Sequence, residues 1–211
     1  MKKLYLAVSI AAACVLTAGV AAQPGAITIV LTGQSMLRSD LRSTKPAAMP
    51  VVKGVLAGDV IFTNLEAAVA QPGETIREGR GFLTPPEALD ALAAMGFNLI
   101  ALSGNHAFDL KETGIRNTLR EVDRRKIVHA GTGLSLADAS APAYLQTPNG
   151  TVALVASASG LIAPGGRATP EHPGVNELRL TAGGRDNEST DDLPGAPANT
   201  PNPEDASRIR A

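Results

Sequence analysis

The stretch from residue 97 to residue 109, Phe-Asn-Leu-Ile-Ala-Leu-Ser-Gly-Asn-His-Ala-Phe-Asp, constrains the fold and the chemistry of this chain more than any other. Its apolar first half is short enough for a buried strand, and a Ser-Gly turn follows it. The turn passes Asn105, His106 and Asp109 to the loop beyond the strand, where ligands and catalytic groups of α/β proteins often lie. An amide oxygen, an imidazole and a carboxylate suit the binding of a divalent metal and the protonation of a leaving group. The stretch therefore predicts a site of the metal-phosphoesterase type.

Residues 1–22 have the pattern of a secretory signal peptide. Lysines at positions 2 and 3 precede an uncharged apolar run, which ends in the small residues Val20-Ala21-Ala22. The run is shorter than the roughly 20 apolar residues that a membrane-spanning helix needs. The pattern predicts cleavage before Gln23 and export to the periplasm, the cell envelope or the medium. An uncleaved membrane anchor and lipidation at Cys14 are the alternatives.

Composition excludes several classes of function. The formal net charge is −1 and no basic cluster is visible, so the chain lacks the electrostatic signature of a nucleic-acid-binding protein. Cys14 is the only cysteine, and its loss with the signal peptide would leave a mature protein with neither disulfide nor thiol chemistry. Aromatic residues are only 3 % of the chain, so the core must be built from Leu, Val, Ile and Ala.

Strand and helix patterns alternate along the middle of the chain, which predicts an α/β architecture. Two prolines after Thr84 predict a helix that Thr84 caps and Gly96 ends. In a second helix, Ile115, Leu119 and Val122 form the apolar stripe, and the charged residues are expected mostly to face water. Short β-branched and apolar segments predict strands at 26–32, 60–63, 98–102 and 151–157, with residues 33–35 turning out of the first strand.

The pattern changes after residue 163, where Gly, Pro and Asp are frequent and a periodic apolar pattern is almost absent. Residues 163–211 are therefore predicted to be a long loop or a disordered linker, with the start of a helix near Asp205 or Ser207. Before this segment, Ser135 is expected to cap a short helix.

A second group of polar residues follows the predicted strand at 60–63. Residues two apart in an extended chain share a face, so Asn64 and Glu66 can point together into one pocket. In the alternative interpretation, Asn64 caps the next turn and Glu66 is only solvated. The segment alone favours neither interpretation.

Taken in order, these motifs resemble the CapA family of capsule or poly-γ-glutamate synthesis proteins. The resemblance rests on the segment 58–66, the helix before Gly96, the segment 103–109 with its following helix, and the His129-Ala-Gly-Thr-Gly turn. It covers roughly residues 27–160 and implies a calcineurin-like metallophosphatase fold. This fold is a layered α/β/β/α sandwich, of which residues 26–160 would form the first half. The resemblance thus implies a chain that is truncated relative to its relatives.

The resemblance also implies roles for individual residues. Asn64, Glu66 and Asn105 would hold a divalent metal ion (Mn, Zn or Fe), with Asn105 as a bridging or substrate-orienting ligand. His106 would act as general acid or stabilise the transition state, and Asp109 would hold His106 in one tautomer.

Two departures from the family pattern weaken the case for catalysis. The first strand of the family normally ends in Gly-Asp, whose carboxylate is a primary metal ligand, whereas this chain has Gly33-Gln34. A neutral Gln binds a hard divalent cation far more weakly than a carboxylate does. The histidine motifs of the family's second half are also missing, and His172, in a Pro-rich loop, is not expected to be a ligand.

Arginines are the candidate contacts to an anionic ligand. Arg38 follows the turn at Gln34, and Arg80 lies between two glycines in a polar loop. A guanidinium group fits a phosphate or a polyglutamate carboxylate. An exposed arginine that only improves solubility is the alternative.

The sequence therefore leads to one principal hypothesis and two rivals. The principal hypothesis is an exported CapA-like protein with a metal-dependent, phosphoesterase-like site, which acts on an anionic envelope polymer or on a phosphorylated or acylated small substrate. The first rival is a non-catalytic assembly factor that binds the anionic polymer or a membrane-bound polymer synthase. The second rival is an incomplete product that does not fold stably, because half of a layered sheet leaves apolar faces uncovered.

Overall fold

A computed structural model describes residues 25–76, 81–181 and 200–210 of the chain. The predicted signal peptide with Cys14, and the candidate ligand Arg80, lie outside these residues.

Strands and helices alternate from residue 29 to residue 130, which confirms the predicted α/β class. The strands are β1 (Ile29–Ser35), β2 (Val60–Leu65), β3 (Ala68–Val69), β4 (Leu83–Thr84), β5 (Leu99–Ala101), β6 (Val128–Ala130), β7 (Thr132–Gly133), β8 (Ala143–Thr147), β9 (Gly150–Leu154), β10 (Gly174–Val175), β11 (Leu180–Thr181) and β12 (Thr200–Pro201). The helices are α1 (Leu41–Thr44), α2 (Ala48–Val55), α3 (Pro86–Met95), α4 (Lys111–Arg124), α5 (Leu136–Ser140) and α6 (Pro203–Arg210), with a 3-10 turn at Asn105–Phe108. None of the helices within the described ranges is long and apolar enough to cross a membrane.

A four-stranded parallel sheet, ordered β1-β2-β5-β6, is the centre of the fold. Its inner strands, β2 and β5, are apolar along most of their length, as is typical of strands with both faces largely covered. Parallel strands all run in one direction, so their carboxyl ends lie together at one edge of the sheet. The polar residues that follow β2 and β5 are therefore brought to that edge.

Helices α3 and α4 pack on one face of the sheet and form the main core. Ile61 and Ile100 of the sheet pack with Leu89 and Leu92 of α3 and with Val122 of α4, and each of them is at most 6 % exposed. Burying an aliphatic side chain of this size contributes about 1.5–3 kcal/mol. This core fixes the position of the carboxyl edge of the sheet.

The caps and ends that the sequence predicts for the helices are confirmed only in part. The predicted capping of α3 by Thr84 is wrong, because Thr84 is held extended in the β3–β4 pair and Pro85 precedes the helix without a side-chain cap. The predicted end of α3 is confirmed, since Gly96 has a φ of 104°, which glycine adopts without steric cost. Ser135 caps α5 as predicted, and its hydroxyl accepts the backbone N–H of Asp138 at 3.2 Å.

Helix α4 buries the predicted apolar stripe, and Ile115 and Val122 are almost fully buried. The expectation that the charged residues mostly face water is wrong for Glu121, which is 6 % exposed. Arg125 donates hydrogen bonds to Glu121 and to Asp90 of α3, both at 2.5 Å. A largely buried ion-pair network therefore joins the two helices.

Strand β1 begins and ends later than predicted. It starts at Ile29, and the predicted turn at 33–35 is wrong because these residues stay in the strand. The register with β2 shifts between Leu31 and Gln34, so an irregularity of the bulge type is accommodated while the chain remains extended. As a result Gln34 pairs with Asn64 of β2 at the carboxyl edge.

The hairpin of β8 and β9 lies on the other face of the sheet. Leu154 packs against the small residues Ala101, Ala130 and Ala156. The strand predicted at 151–157 is β9, which ends at Leu154. Leu31 of the edge strand β1 stays 74 % exposed, so the hairpin covers this face only in part.

The described residues after 163 pack onto the rest of the fold. Strand β10 pairs with β7, and Asn176 is fully buried. The predicted helix near residue 205 is present as α6, and its Asp205 is fully buried. The Asp205 carboxylate accepts hydrogen bonds from Arg167, Arg179 and Arg208. The described parts of this predicted loop or linker therefore pack onto the fold, and its residues 182–199 lie outside the described residues.

Candidate functional site

Polar side chains at the carboxyl edge of the sheet form a compact site. Asn64 lies near the end of β2, and its amide nitrogen donates to a carboxylate oxygen of Glu66 at 2.7 Å. The two side chains therefore contact each other, as the spacing predicts. The alternative of a Glu66 that is only solvated is wrong, because Glu66 is 4 % exposed.

Glu66 is the centre of this site, and N–H groups surround its carboxylate. In addition to the amide of Asn64, the backbone N–H of His106 donates to Oε1 at 3.3 Å, and the amide of Gln34 approaches Oε2 at 3.5 Å. Both oxygens therefore have donors, which offsets part of the cost of burying the charge. The donors come from β1, β2 and the turn after β5, so Glu66 connects three segments of the chain.

Gly104 lies over Glu66 and leaves space for its carboxylate. A Cβ at position 104 would lie 2.6 Å from both Glu66 oxygens. The backbone of Gly104 is extended, with a φ of −166°, so lack of space rather than conformation requires glycine here. The Ser-Gly turn of the sequence thus has a structural reason in the neighbouring strand.

His106 and Asp109 form a hydrogen-bonded pair in the turn after β5. Nδ1 of His106 lies 2.7 Å from Oδ2 of Asp109, and the same oxygen accepts the backbone N–H of Phe82 at 2.5 Å. A carboxylate at Nδ1 favours the tautomer with the proton on that nitrogen, and Nε2 then points away from Asp109. The His106 side chain is 28 % exposed, and Nε2 has no hydrogen-bond partner in the described part of the chain. Nε2 is therefore accessible to a ligand.

Phe82 belongs to the site, although no sequence pattern pointed to it. Its ring centre lies 6.3 Å from that of His106, and the rings are tilted by 57°. A Cβ at position 81 would collide with Asp109, so Gly81 leaves room for the carboxylate next to Phe82. The only available signal was the position of Phe82 directly after a polar, glycine-containing loop.

The remaining candidate residues lie at different distances from this centre. Asn105 is in the 3-10 turn beside His106, and its side chain makes no hydrogen bond to the described residues. Arg38 is exposed and stacks on Phe82, with its Cζ 4.0 Å from the ring centre. His172 lies in a loop, as predicted, with its side chain 67 % exposed. The assigned roles of Asn105 and Arg38 stay predictions.

The described residues do not fit a two-metal centre. Such a centre needs several anionic or imidazole ligands that hold two cations a few Å apart. Across residues 25–76, 81–181 and 200–210, no group of three or more His, Cys, Asp or Glu side chains is placed to hold a metal. The carboxylate of Glu66 already accepts N–H groups, and one of them is the neutral amide of Gln34. The buried Oδ1 of Asn64 has no hydrogen-bond partner there and would suit a cation, but it is a neutral ligand.

This chain is similar to a described protein family and to proteins of Sinorhizobium fredii. Residues 28–206 match the family described as bacterial capsule synthesis protein PGA_cap. Two proteins of Sinorhizobium fredii (strain NBRC 101917 / NGR234), the uncharacterized proteins y4sH and y4uA, are each 36 % identical to the chain over 166 residues. The alignment covers 72 % of this chain and 36 % of each relative, so the chain spans about a third of the length of these curated relatives.

The family match covers most of the chain and every described residue of the site. It also continues past residue 160, through β10 and into α6. The packing of these late segments onto the sheet agrees with that longer match. The chain therefore belongs to the family of bacterial capsule synthesis proteins described as PGA_cap, which confirms its resemblance to the CapA family.

Proposed function

We propose that this chain acts in the cell envelope in the synthesis of an anionic capsule polymer, and that its site binds an anionic group of the polymer or of a precursor. Membership of the capsule synthesis family supports the process. The two lysines and the apolar run at the N-terminus support export. The polymer itself, or a membrane-bound synthase that makes it, is the partner in this proposal.

The hydrogen bond between His106 and Asp109, 2.7 Å long, is the observation that carries the proposal. Asp109 accepts the Nδ1 proton, and only the doubly protonated imidazole then presents Nε2–H to a ligand, with the carboxylate behind it as counter-charge. Carboxylate and phosphate oxygens are the acceptors that best suit a charged N–H donor. Asp109 thus orients the ring of His106, and the doubly protonated form of that ring is the donor to an oxyanion.

Glu66 binds the backbone of His106 and is itself buried away from the ligand. It is 4 % exposed, and its Oε1 accepts the backbone N–H of His106 at 3.3 Å. This contact fixes the backbone of His106, whereas Asp109 fixes its ring. The arrangement therefore orients one imidazole with two carboxylates, and each carboxylate is held by N–H donors of the protein.

A metal-dependent phosphoesterase is the second candidate function. The buried Oδ1 of Asn64, which has no partner in the described structure, favours it. An amide oxygen beside a carboxylate is a ligand pair that a hard divalent cation accepts. The neutral Gln34 and the small number of acidic ligands within the described ranges favour the binding function instead.

Polymer binding and metal content distinguish these two functions. We expect the purified chain to bind poly-γ-glutamate or polyphosphate, but not uncharged dextran, in isothermal titration calorimetry. His106→Gln is expected to weaken binding by about tenfold. His129→Gln is a matched control, because His129 pairs with the exposed Asp123 at 3.0 Å, away from this site.

Elemental analysis of the same protein completes the test. Stoichiometric Mn, Zn or Fe that is lost in His106→Ala would establish the phosphoesterase hypothesis in place of the binding function. Equal affinity of the wild-type chain and His106→Gln for the charged polymers would refute the proposed function.

A further inference from the structure

Phe82 contacts both members of the His106–Asp109 pair. Its backbone N–H donates to Asp109 at 2.5 Å, and its ring lies beside that of His106 at 6.3 Å between centres. Its backbone oxygen accepts the N–H of Ala68 at 3.1 Å. Phe82 is 7 % exposed, so both its backbone and its ring are fixed next to the site.

The guanidinium group of Arg38 packs over the ring of Phe82. Its Cζ is 4.0 Å from the ring centre, a distance at which cation–π attraction and stacking hold a guanidinium group in place. Leu37 packs against the main core, which anchors the backbone while the residue Arg38 stays exposed. The Phe82 ring centre lies 4.0 Å from Arg38 Cζ and 6.3 Å from the His106 ring centre. The sum of these two distances is the upper limit on the separation between Arg38 Cζ and the His106 ring centre.

The N–H groups of Arg38 are not used by a carboxylate of the described structure. The neighbouring Arg42 shows the contrast, because it pairs with Asp40 at 2.9 Å and with Asp90 at 3.2 Å. Arg38 instead has an aromatic ring as its partner. A ring satisfies the face of a guanidinium group but leaves its N–H edge to bind an anion.

The carboxylates of Glu66 and Asp109 would repel an anion, but both already accept hydrogen bonds from N–H groups of the protein. Glu66 is buried beneath its N–H donors, and the Oδ2 atom of Asp109 accepts both the imidazole and a backbone N–H. Among the residues that contact Phe82, the His106 side chain is 28 % exposed and Arg38 is exposed. A guanidinium group and an imidazole that both contact one aromatic ring are suited to a carboxylate or a phosphate.

We propose that Phe82 holds the Arg38 guanidinium beside His106, and that Arg38 and His106 together bind one carboxylate or phosphate group of the ligand. This inference rests on the proposed function and names its ligand chemistry. It assigns Arg38 as a binding residue and Phe82 as a positioning residue. Capsule polymers with free carboxylates or phosphates would both present such a group.

Titration of the full chain with inorganic phosphate and with glutarate tests this inference. We expect NMR signals of the His106 ring and of the Arg38 side chain to shift together with one dissociation constant. Arg38→Gln is expected to weaken binding by about tenfold, because a charge-assisted contact is lost. Arg38→Lys keeps the charge but loses the planar stack, so it is expected to restore only part of the affinity.

Phe82→Leu is expected to weaken binding of both anions while the His106 signals still respond to them. Arg116→Gln is the control for arginine loss, because Arg116 lies on α4 with its side chain 54 % exposed. Wild-type affinity in Arg38→Gln would overturn the inference, and it would leave the proposed function standing if His106→Gln still weakened binding. Anions that shift Arg38 but never His106, or that shift neither residue, would also overturn it. Loss of fold in Phe82→Leu would not affect the test, because Arg38 is exposed and its variants should remain folded.

Discussion

The backbone of Gly104 lies against the carboxylate of Glu66, so closely that no Cβ fits between them. Gly104→Ala is therefore expected to push the buried carboxylate away from its N–H donors. The expected loss in the free energy of unfolding is about 1–3 kcal/mol, measurable by chemical denaturation. Gly54→Ala is the control, because open space surrounds Gly54 in helix α2. It is expected to raise the stability by up to about 1 kcal/mol, and equal losses in the two variants would contradict the proposed packing.

Asp109→Asn is expected to remove the preference of His106 for the Nδ1–H tautomer. The neutral amide is a weaker acceptor, and its NH₂ group competes for the position of the carboxylate oxygen. The nitrogen chemical shifts of the His106 ring report the tautomer directly. Asp123→Asn is the matched control, because Asp123 pairs with His129 and should alter only the signals of that ring. Unchanged His106 shifts in Asp109→Asn would show that the pair does not orient the imidazole.

Gln34→Asp is expected to raise the affinity for Mn²⁺ by about tenfold or more, since it adds an anionic oxygen ligand beside Glu66. Without metal the two carboxylates repel each other, so the variant should be less stable than the wild-type chain until Mn²⁺ is added. Thermal unfolding with and without Mn²⁺ measures both effects. Gln34→Asn keeps the site neutral and should behave like the wild-type chain. A Gln34→Asp variant that gains no affinity would refute the view that missing charge limits metal binding here.

The ion-pair network between α3 and α4 predicts a loss of stability in acid. The Arg125 hydrogen bond is the main cause that lowers the pKa of Asp90 below its ordinary value of 3.8. Burial alone would raise the pKa of Glu121, but hydrogen bonds from Arg125, Arg124 and Gln71 outweigh it and lower that pKa below 4.5. Each carboxylate therefore stabilises the fold fully above its ordinary pKa, and this stabilisation is lost as the pH falls through its lower folded-state pKa.

Arg125→Met tests this network. The variant is expected to lose about 3 kcal/mol at pH 7, because it leaves Glu121 and Asp90 without their shared partner. Its stability should also fall less steeply than that of the wild-type chain below pH 4.5. Arg116→Met, whose single ion pair with Glu112 is exposed, should change stability by less than about 0.5 kcal/mol. Equal acid dependence in Arg125→Met and the wild-type chain would contradict the assignment.

Local pairs could be predicted from the sequence because short-range geometry brings their members together. Asn64 and Glu66 are two residues apart in an extended segment, so their spacing predicts the contact. The pairing of His106 with Asp109 was implied by the resemblance to the CapA family. The contact of Phe82 with Asp109 joins residues 27 positions apart. It depends on the path of the loop before Phe82, which no local pattern describes.

In the fold too, local features could be predicted from the sequence, whereas features that depend on tertiary contacts could not. Strand β5 and its turn were predictable because an apolar run and a Ser-Gly turn agree with the packed structure. The end of β1 was not, because the register shift between Leu31 and Gln34 depends on pairing with β2. The burial of Glu121 was missed for a related reason, since Arg125 and Asp90 come together only when α3 and α4 pack. In both cases tertiary contacts override the local preference.

The buried Asn176 sets a lower limit on how far this protein can be shortened. Its backbone N–H donates to the carbonyl of Gly131 at 2.9 Å, and its amide donates to that of Ala156 at 2.8 Å. A version that stopped at residue 160 would leave both carbonyls without these donors, at the edge where Ser103 leads into the site. A minimal capsule domain for biochemical work must therefore extend at least through residue 176, into a stretch that composition alone would discard.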